Sequence, residues 1–398
     1  MKILFITSRF PFPPLKGDKI RSYYPIKLLS QKHQIDLLSF TEERIEPKHI
    51  QEMEKYCNRI DIVKLNKLTF MAMLVFGVFS PWPSQIFCYN SFRMKRLINT
   101  YIKDNDYDIV HIVCGRLVGY ARYVHGIPKI IDWIDSLSLS TERMYKTEKS
   151  WIKKVLFFLE WKKMNRYERQ NILACDFSFI TSQVDNSYLN NEIKEVIPNG
   201  VDINLYRLLD IKKNVDLIFT GNMSYFPNIK AVEFFCEKVF PLIIRKRPET
   251  TFYISGINPS KHIRRYHDGK NVFVTGYVEN MTEMLNRSKI FVAPLQSGAG
   301  IQNKILEAMA CSLPIVSTNY GNAGIQARNG DEIIIEDNPE DFANVVLNLL
   351  SNELKGRLLG ANAHDFVKKN FSWDSKTDRL DKIYIDLLNK KAIKQKVE

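Results

Sequence analysis

The sequence predicts two doubly wound α/β domains, and three observations carry this prediction. The chain has 398 residues, whereas a single hydrophobic core usually stops growing near about 250 to 300 residues, so two domains are expected. Short apolar segments alternate with longer amphipathic stretches from the first residues onward, a pattern that predicts parallel strands joined by covering helices. The alternation begins again after residue 214, which indicates a second domain of the same kind.

Thirteen short apolar segments are the predicted strands. In the first domain they are KILFIT, QIDLLSF, RIDIVKL, DIVHIV, KIIDWI, DFSFIT and KEVIP, and in the second VDLIFTG, TTFYISG, NVFVTGYV, KIFVAPL, LPIVST and EIIIED. The segment 204–214 between them is polar and weakly periodic, as expected of a domain junction. We therefore predict a first domain over 1–208, a second over 209–371, and an amphipathic helix over about 372–398 that returns to the first.

The composition is that of an ordinary globular protein, with 45% hydrophobic and 25% charged residues, which excludes a disordered chain. The six cysteines are isolated and lack zinc-binding spacing, so reduced thiols and a cytoplasmic location are expected. The opening MKILFITSRFPF suits a buried strand better than a signal peptide. The apolar stretch 68–79 is about a dozen residues, too short for a spanning helix of about 20.

The net charge of +13 and the pI near 9.2 predict attraction to polyanions such as lipid surfaces, diphosphates or nucleic acid. Zinc-finger spacing, an aromatic RNA-binding signature and a basic arm are all missing from the sequence, which argues against nucleic acid. Residues 150–170 form a basic amphipathic pattern with aromatic side chains, which suits an anionic membrane surface. The alternative is an ordinary helix packed through its apolar stripe. A peripheral position on the inner face of the plasma membrane is therefore one expectation.

The most informative strand exit is FVAPLQSGAGIQNKILEAMACSLPIVST. Its glycine loop precedes a helix expected to begin near Gln302, and such a loop and helix start present backbone N–H groups to an anion. Lys304 and Glu307 are three residues apart and share one helix face. Their ammonium and carboxylate suit a phosphate and two ribose hydroxyls. A solvated ion pair on a surface helix is the alternative, but the glycine loop and the parallel sheet favour the ligand site.

The segments GAGIQNKILEAMACSLPIVST, VIPNGVD and FTGNMSYFPNIKAVEFF together resemble the retaining GT-B glycosyltransferases of group 1, which are family 4-like. PFPPLKGDKIRSY and DWIDSLS resemble the branch associated with exopolysaccharide systems. The resemblance covers nearly the whole chain. It implies two Rossmann-like domains, a nucleotide-diphosphate sugar donor in a cleft between them, a polysaccharide or lipid-linked acceptor, and no metal or other cofactor.

The resemblance also assigns roles to residues of the glycine loop. Glu307 matches the second of the family's two signature glutamates, which implies ribose binding, but Ala299 stands at the first position. The backbone N–H groups of Gly300, Ile301 and Gln302 are expected to hold the donor sugar instead. A weakened or inactive enzyme is the alternative.

The family's usual Arg and Lys pair after the first strand of the second domain is absent, and Gly221 and Asn222 stand at that exit. We expect Lys304 to meet the diphosphate first, with Arg21 or helix N-termini as alternatives. The turn at Gly17 precedes a helix that should run to about residue 29, with residue 18 as its cap. By resemblance this turn faces the donor, although an ordinary strand-to-helix turn is equally compatible.

Further candidates lie at other strand exits. Tyr277 and Val278 follow a strand end and by resemblance flank the nucleobase, while a buried aromatic residue is the alternative for Tyr277. Asp132 and Asp135 leave a strand of the first domain, where the family often has a histidine. Asp135 is assigned to orient the acceptor hydroxyl, with helix capping as the alternative. His111 is expected to be a buried strand residue.

The predicted reaction is sugar transfer with retention, in which Lys304 and fixed N–H dipoles ease departure of the nucleoside diphosphate. Retention is implied by the resemblance alone. Two other functions remain open, a nucleotide-sugar 2-epimerase and a non-catalytic nucleotide-sugar-binding protein, because a fold does not determine a function. Ala299 makes the second of these credible.

Overall fold

The computed structural model describes residues 1–66, 77, 80–148, 150–297 and 301–397. The chain divides into two compact units. Unit 1 comprises Met1–Pro198 and Thr377–Glu398, and unit 2 comprises Asn199–Lys376.

Unit 1 is built on a seven-stranded sheet in the order β3-β2-β1-β4-β5-β6-β7. The strands are β1 Lys2–Thr7, β2 Gln34–Thr41, β3 Arg59–Lys64, β4 Ile109–Val113, β5 Lys129–Asp132, β6 Phe177–Ile180 and β7 Glu195–Val196. All neighbouring strands are parallel. The order runs outward from β1 in both directions, which is the predicted doubly wound arrangement.

Helices cover both faces of this sheet. They are α1 Gly17–Leu29, α2 Pro47–Glu54, α3 Ser84–Cys88, α4 Phe92–Asp104, a 3-10 helix Gly115–Tyr123, α5 Leu137–Thr147, α6 Trp151–Asn171 and α7 Gln183–Tyr188. In β1, Leu4 and Ile6 join one buried cluster while Ile3 and Phe5 join another. Because both faces are buried, the strand is a continuous apolar run and not an alternating one.

Unit 2 contains a six-stranded parallel sheet in the order β10-β9-β8-β11-β12-β13. The strands are β8 Val215–Thr220, β9 Phe252–Ser255, β10 Val272–Gly276, β11 Ser288–Ala293, β12 Ile315–Ser317 and β13 Ile334–Ile335. Each of the thirteen predicted segments therefore overlaps a strand, which confirms the prediction of two doubly wound α/β domains.

The helices of unit 2 again lie on both faces. They are α8 Phe226–Phe234, a π-helix Phe235–Val239, α9 Phe240–Lys246, α10 Lys261–Arg264, α11 Met281–Asn286, α12 Asn303–Ala310, α13 Asn319–Asn322, α14 Pro339–Ser351 and α15 Glu353–Phe371. Leu217 and Phe219 of β8 belong to one core cluster and Ile218 to the other. This second sheet is thus also buried on both faces.

The final helix, α16 Trp373–Val397, begins in unit 2 and continues into unit 1. The chain passes between the units at Pro198 and Asn199 and again at Lys376 and Thr377. In the part of α16 that belongs to unit 1, Leu380, Ile383 and Tyr384 join the core cluster that contains β1 residues. The predicted return of the C-terminal helix to the first domain is therefore observed.

The sequence places the first domain junction at 208/209, and the structure places it at 198/199. The segment that follows residue 198 is attached to unit 2 by specific contacts. Val201 forms a bridge with Ser372. The Asn286 side chain accepts from the backbone N–H of Leu209 at 2.8 Å and donates to the carbonyl of Arg207 at 2.9 Å. These backbone contacts explain why a polar, weakly periodic segment belongs to unit 2.

Three smaller predictions can be compared with the structure. The six cysteines are free thiols, five of them buried and Cys236 half-buried. Asp18 lies in the first turn of α1, and Lys16 occupies the capping position without a side-chain hydrogen bond, so the predicted Asp18 cap is wrong. Within the described part of the chain, no helix has the length and apolarity needed to cross a membrane. Apart from residue 77, the apolar stretch 68–79 lies outside the described residues.

Candidate functional site

Three glycines end neighbouring strands at the carboxyl edge of the unit 2 sheet. Gly221, Gly256 and Gly276 follow or end β8, β9 and β10 with φ of +150°, +144° and +72°. A Cβ atom at residue 256 would lie 1.8 Å from the Gly221 carbonyl oxygen, and one at residue 221 would lie 2.7 Å from Asn228 Nδ2. A side chain is therefore excluded at residues 221 and 256 by close packing, and the positive φ of residue 276 favours glycine there. Gly221 was predicted from the sequence, whereas Gly256 was not.

Lys304, at the start of α12, reaches the exit of β8. Its Nζ donates a hydrogen bond to Asn228 Oδ1 and lies 5.0 Å from the centroid of the Phe219 ring. Asn228 Nδ2 in turn donates to the carbonyl oxygen of Asn222 at 2.9 Å. A Cβ atom at Gly221 would lie 3.4 Å from Lys304 Cε. The structure thus brings Lys304, Gly221 and Asn222 together, and Asn228 positions the ammonium among them.

Burial favours the uncharged forms of Lys304 and Glu307, two residues of α12, and so moves the pKa of each toward 7. It lowers the pKa of Lys304 to about 8, and the nearby Glu307 carboxylate opposes this shift. It raises the pKa of Glu307 to about 7, opposed by the Lys304 ammonium and by a hydrogen bond from Tyr206. Both groups therefore change charge close to physiological pH. An anionic ligand beside Lys304 would favour its ammonium form.

Tyr206 is a site residue that was not predicted from the sequence. It lies in the segment after residue 198, which the sequence pattern marked only as a junction, and its hydroxyl contacts the Glu307 carboxylate. A contact between residues about a hundred positions apart leaves no local signal in the sequence. It orients the carboxylate that the resemblance assigns to ribose.

Of the predicted donor residues in the loop before α12, the structure describes Ile301 and Gln302 but not Gly300. Gly300 and the neighbouring Ala299 lie outside the described residues, so the loop between β11 and α12 is described only up to residue 297 and from Ile301 onward. Ile301 and Gln302 are half-buried, and Gln302 precedes α12 without a side-chain capping bond. The backbone N–H groups of the first turn of α12 are therefore not capped by that side chain.

Tyr277 and Val278 directly follow Gly276 at the end of β10. Tyr277 is 74% exposed, so the alternative of a buried aromatic residue is wrong. Val278 is half-buried. The exposed ring at a strand exit is available for stacking on a flat ligand.

Two residues of unit 1, Gly17 and Arg21, were both predicted to contact the donor, but the structure gives them different environments. Gly17 is the first residue of α1, and within the described residues no heavy atom lies within 4 Å of the position its Cβ would take. Arg21 is buried, and its guanidinium donates to Asp132 at 2.6 Å and to the carbonyls of Ile197 at 2.7 Å and Pro198 at 2.9 Å. These bonds give Arg21 a structural role, which argues against a phosphate contact.

Asp135 is half-buried at the exit of β5. Ser136, and not Asp135, caps α5, since its hydroxyl oxygen accepts from the backbone N–H of Leu139 at 3.1 Å. The capping alternative for Asp135 is therefore wrong. Burial and the Asp185 carboxylate raise the pKa of Asp135, and Arg116 opposes the shift. A carboxylate with a raised pKa is suited to accept a proton from a hydroxyl group.

His111 is a buried residue of β4, 1% exposed, as expected from the sequence. Its Nδ1 is hydrogen-bonded to the hydroxyl of Tyr384. Burial and the charge of Arg21 lower the pKa of His111 to about 3, so the imidazole is neutral at physiological pH. Its position in the sheet supports a packing role.

Comparisons with known proteins agree with this architecture. Residues 214–352 match the family described as Glycosyl transferases group 1. An uncharacterized 44.6 kDa protein in the cps region of Klebsiella pneumoniae is 23% identical over 94% of this chain and 97% of its own length. An uncharacterized glycosyltransferase of Methanocaldococcus jannaschii is 31% identical over 50% of this chain and 49% of its own length.

Among solved structures, the Anabaena protein HepE in complex with UDP superposes with a TM-score of 0.64 at 13% identity. The match covers 97% of this chain and 100% of the Anabaena chain. Residues 214–352 are thus similar to group 1 of the glycosyltransferases, and the two α/β units have the GT-B fold.

Proposed function

We propose that this chain, whose residues 214–352 match the group 1 glycosyltransferase family, transfers a sugar from a nucleotide-diphosphate donor to a polysaccharide or lipid-linked acceptor. The observation that carries the proposal is the convergence of Lys304 with Gly221 and Asn222 at the end of β8, with the Glu307 carboxylate close enough to interact electrostatically with the Lys304 ammonium. The UDP bound to the Anabaena protein and the cps-region location of the Klebsiella relative support a nucleotide donor and a role in cell-surface polysaccharide synthesis.

Each residue of the proposed site has a distinct task. Lys304 and the N–H groups of α12 bind the diphosphate, and Glu307 accepts hydrogen bonds from the ribose hydroxyls. Tyr277 and Val278 flank the base. The bond between the anomeric carbon and the diphosphate oxygen breaks, and its electron pair passes to the diphosphate beside Lys304. The acceptor hydroxyl then bonds to the anomeric carbon with retention and gives up its proton to a base, and we propose that Asp135 orients this hydroxyl as that base.

The donor assignment is tested by thermal unfolding with a panel of nucleoside diphosphates and nucleotide sugars. A ligand at about 100 times its Kd stabilises the folded state by about 2.7 kcal/mol, so a true donor should raise the melting temperature. A panel without any stabilising nucleotide would contradict the proposal.

Ala299 favours one second candidate, a non-catalytic nucleotide-sugar-binding protein. Donor binding without hydrolysis or transfer to any acceptor would support that candidate.

We expect transfer to proceed without added divalent metal. Among the described residues, no group of three His, Cys, Asp or Glu side chains is arranged to hold a metal ion. The Lys304 ammonium and the N–H dipoles of α12 provide the positive charge that a metal would supply. Transfer is measured in excess chelator and after addition of magnesium or manganese. Activity that disappears in chelator and returns with metal would refute this expectation.

The first turns of α6 expose an apolar and basic surface. Trp151 is 75% exposed and Ile152 56% exposed, and Val155, Leu156 and Leu159 are exposed as well. Lys153, Lys154 and Lys162 are exposed on the same helix. The buried residues Met164, Tyr167 and Glu168 come only from its second half. An anionic lipid surface matches both the charge and the aromatic side chains, so we propose that α6 lies on the inner face of the plasma membrane.

We expect salt-sensitive binding to vesicles that contain anionic lipid. Each lysine near such a surface contributes up to about 1 kcal/mol, so the triple variant Lys153→Gln, Lys154→Gln, Lys162→Gln should bind about tenfold more weakly or worse. The matched control removes three exposed lysines of unit 2, Lys212, Lys238 and Lys261. Sedimentation with neutral and anionic vesicles measures the effect. Equal sedimentation with both vesicle types at low salt would exclude the electrostatic contribution.

A further inference from the structure

Unit 1 contains a cavity of about 160 Å³ that the proposed mechanism does not use. It lies among α3, α4, the 3-10 helix and the second half of α6. Of the twelve lining residues that the structure describes, six are aromatic, three are the cations Lys95, Arg116 and Arg122, and none is acidic. Aromatic walls with a few convergent polar groups are typical of small-molecule sites.

The three cations face aromatic rings. Lys95 Nζ lies 5.8 Å from the centroid of the Tyr123 ring, and the Arg122 guanidinium lies 5.5 Å from the same centroid. The Arg116 guanidinium lies 5.9 Å from the centroid of the Tyr89 ring. Within the described part of the chain, none of the three forms an ion pair with a carboxylate at 4.0 Å or less. Arg116 Nε donates to Gln85 Oε1 at 3.2 Å and Arg122 Nε donates to the Gly119 carbonyl at 2.8 Å, so the other N–H groups of the two guanidiniums and the Lys95 ammonium are available to an anion in the cavity.

Three of the four tyrosine hydroxyls described around the cavity, those of Tyr89, Tyr120 and Tyr167, are already engaged. Tyr89 donates to Glu42 at 2.7 Å, and the hydroxyl oxygen of Tyr167 accepts from the backbone N–H of Gly119 at 3.1 Å. These residues therefore present ring surface to the cavity. A ligand that fits must offer an apolar face to the rings and an anionic group to the cations.

The size and position of the cavity further limit the class of ligand that it can bind. Sites for drug-sized ligands occupy about 300 to 1,000 Å³, so this smaller cavity suits a single sugar ring. Arg116 also acts on the Asp135 carboxyl, whose pKa it lowers against the effect of burial. One cation of the cavity lining is thus within electrostatic reach of the carboxylate assigned to the acceptor.

We propose that this cavity binds a sugar ring that carries a carboxylate or a phosphate, and that this ring belongs to the acceptor. The identification of the ring as acceptor rests on the proposed transferase function. The proposal that the cavity binds an anionic sugar does not depend on the transferase function, because such binding requires neither a donor nor sugar transfer.

The first experiment titrates the full chain, without nucleotide, with glucuronate, glucose 6-phosphate, glucose and orthophosphate. At least one anionic sugar should bind about tenfold more tightly than glucose, in line with a charge-assisted hydrogen bond. Preference for glucuronate or for glucose 6-phosphate identifies the carboxylate or the phosphate as the anionic group. Equal binding of glucose, equal binding of orthophosphate, or no binding at millimolar concentration would overturn the proposal.

The second experiment uses the double variant Lys95→Gln, Arg122→Gln, which should bind the preferred anionic sugar at least about fivefold more weakly. Its matched control is Arg93→Gln, Lys103→Gln, two exposed cations on α4 that do not line the cavity. UDP is titrated against both variants, and its binding should be unchanged. Lost sugar binding in the control as well would overturn the cavity assignment. Failure of every nucleoside diphosphate in the panel to bind these proteins would instead count against the proposed donor site.

Discussion

Replacement of Lys304 by alanine is expected to lower turnover by roughly 100-fold or more, while donor binding weakens less. Asn228 and Phe219 hold the ammonium at the sheet edge, where we propose that it and the first N–H groups of α12 bind the same diphosphate oxygens. Negative charge grows on the leaving diphosphate as the glycosidic bond breaks, so the lysine stabilises the transition state more than the bound donor. Steady-state turnover and the donor KM of the two proteins measure the effect.

Two further variants separate this role from simpler ones. Lys230→Ala removes an exposed lysine that pairs with Glu233 on α8, and it should leave turnover unchanged. Asn228→Ala removes the partner of the Lys304 ammonium and should lower turnover by a smaller factor. If Lys304→Ala raises only the donor KM and leaves turnover unchanged, the lysine binds the donor and the transition state equally strongly. If neither constant changes, another basic residue holds the phosphate.

Loss of Lys304 should not unfold the protein. Burial lowers its pKa from 10.5 to about 8, so the folded state holds fewer protons than the unfolded state between these values. The charged lysine therefore costs stability below about pH 8, and this cost is relieved as the pH rises toward 10.5. Alanine removes the cost, and a lower turnover with an undiminished melting temperature is the expected combination.

The sheets could be predicted from sequence because parallel strands buried on both faces are continuous apolar runs. The segment DIVHIV contains β4, and KIFVAPL contains most of β11. The domain junction could not be placed as well. The contacts that attach Arg207 and Leu209 to unit 2 come from Asn286, whose long-range bonds leave no periodic pattern near residue 208.

The candidate site shows the same limit. Lys304 and Glu307 were recognisable from their helical spacing and the preceding glycine loop. Their partners Asn228 and Tyr206 were not, because tertiary contacts alone bring them there. Arg21 was predicted to meet the donor, but Asp132, which lies 111 residues later in the chain, engages its guanidinium. The sequence thus indicated which residues lie near the carboxyl edge of a sheet, but it did not indicate that Arg21 pairs with Asp132.

The Glu307→Gln variant should bind nucleoside diphosphates more weakly by about 1 to 3 kcal/mol, or about five- to 150-fold, because hydrogen bonds to a charged group contribute in this range. Burial raises the pKa of the carboxyl to about 7. Wild-type affinity should therefore increase as the pH rises through about 7 and the carboxylate forms, and glutamine should abolish this increase. Titration calorimetry at several pH values measures both effects.

The same pKa shift predicts that the variant stays folded. A raised carboxyl pKa means that the folded state gains stability from the protonated form below pH 4.5 and loses it as the pH rises to about 7. Glutamine avoids the buried charge, so the melting temperature at neutral pH should not fall. Glu353→Gln, at an exposed residue paired with Arg357, is the matched control and should bind donor normally. Wild-type nucleotide affinity and pH dependence in Glu307→Gln would show that another group holds the ribose.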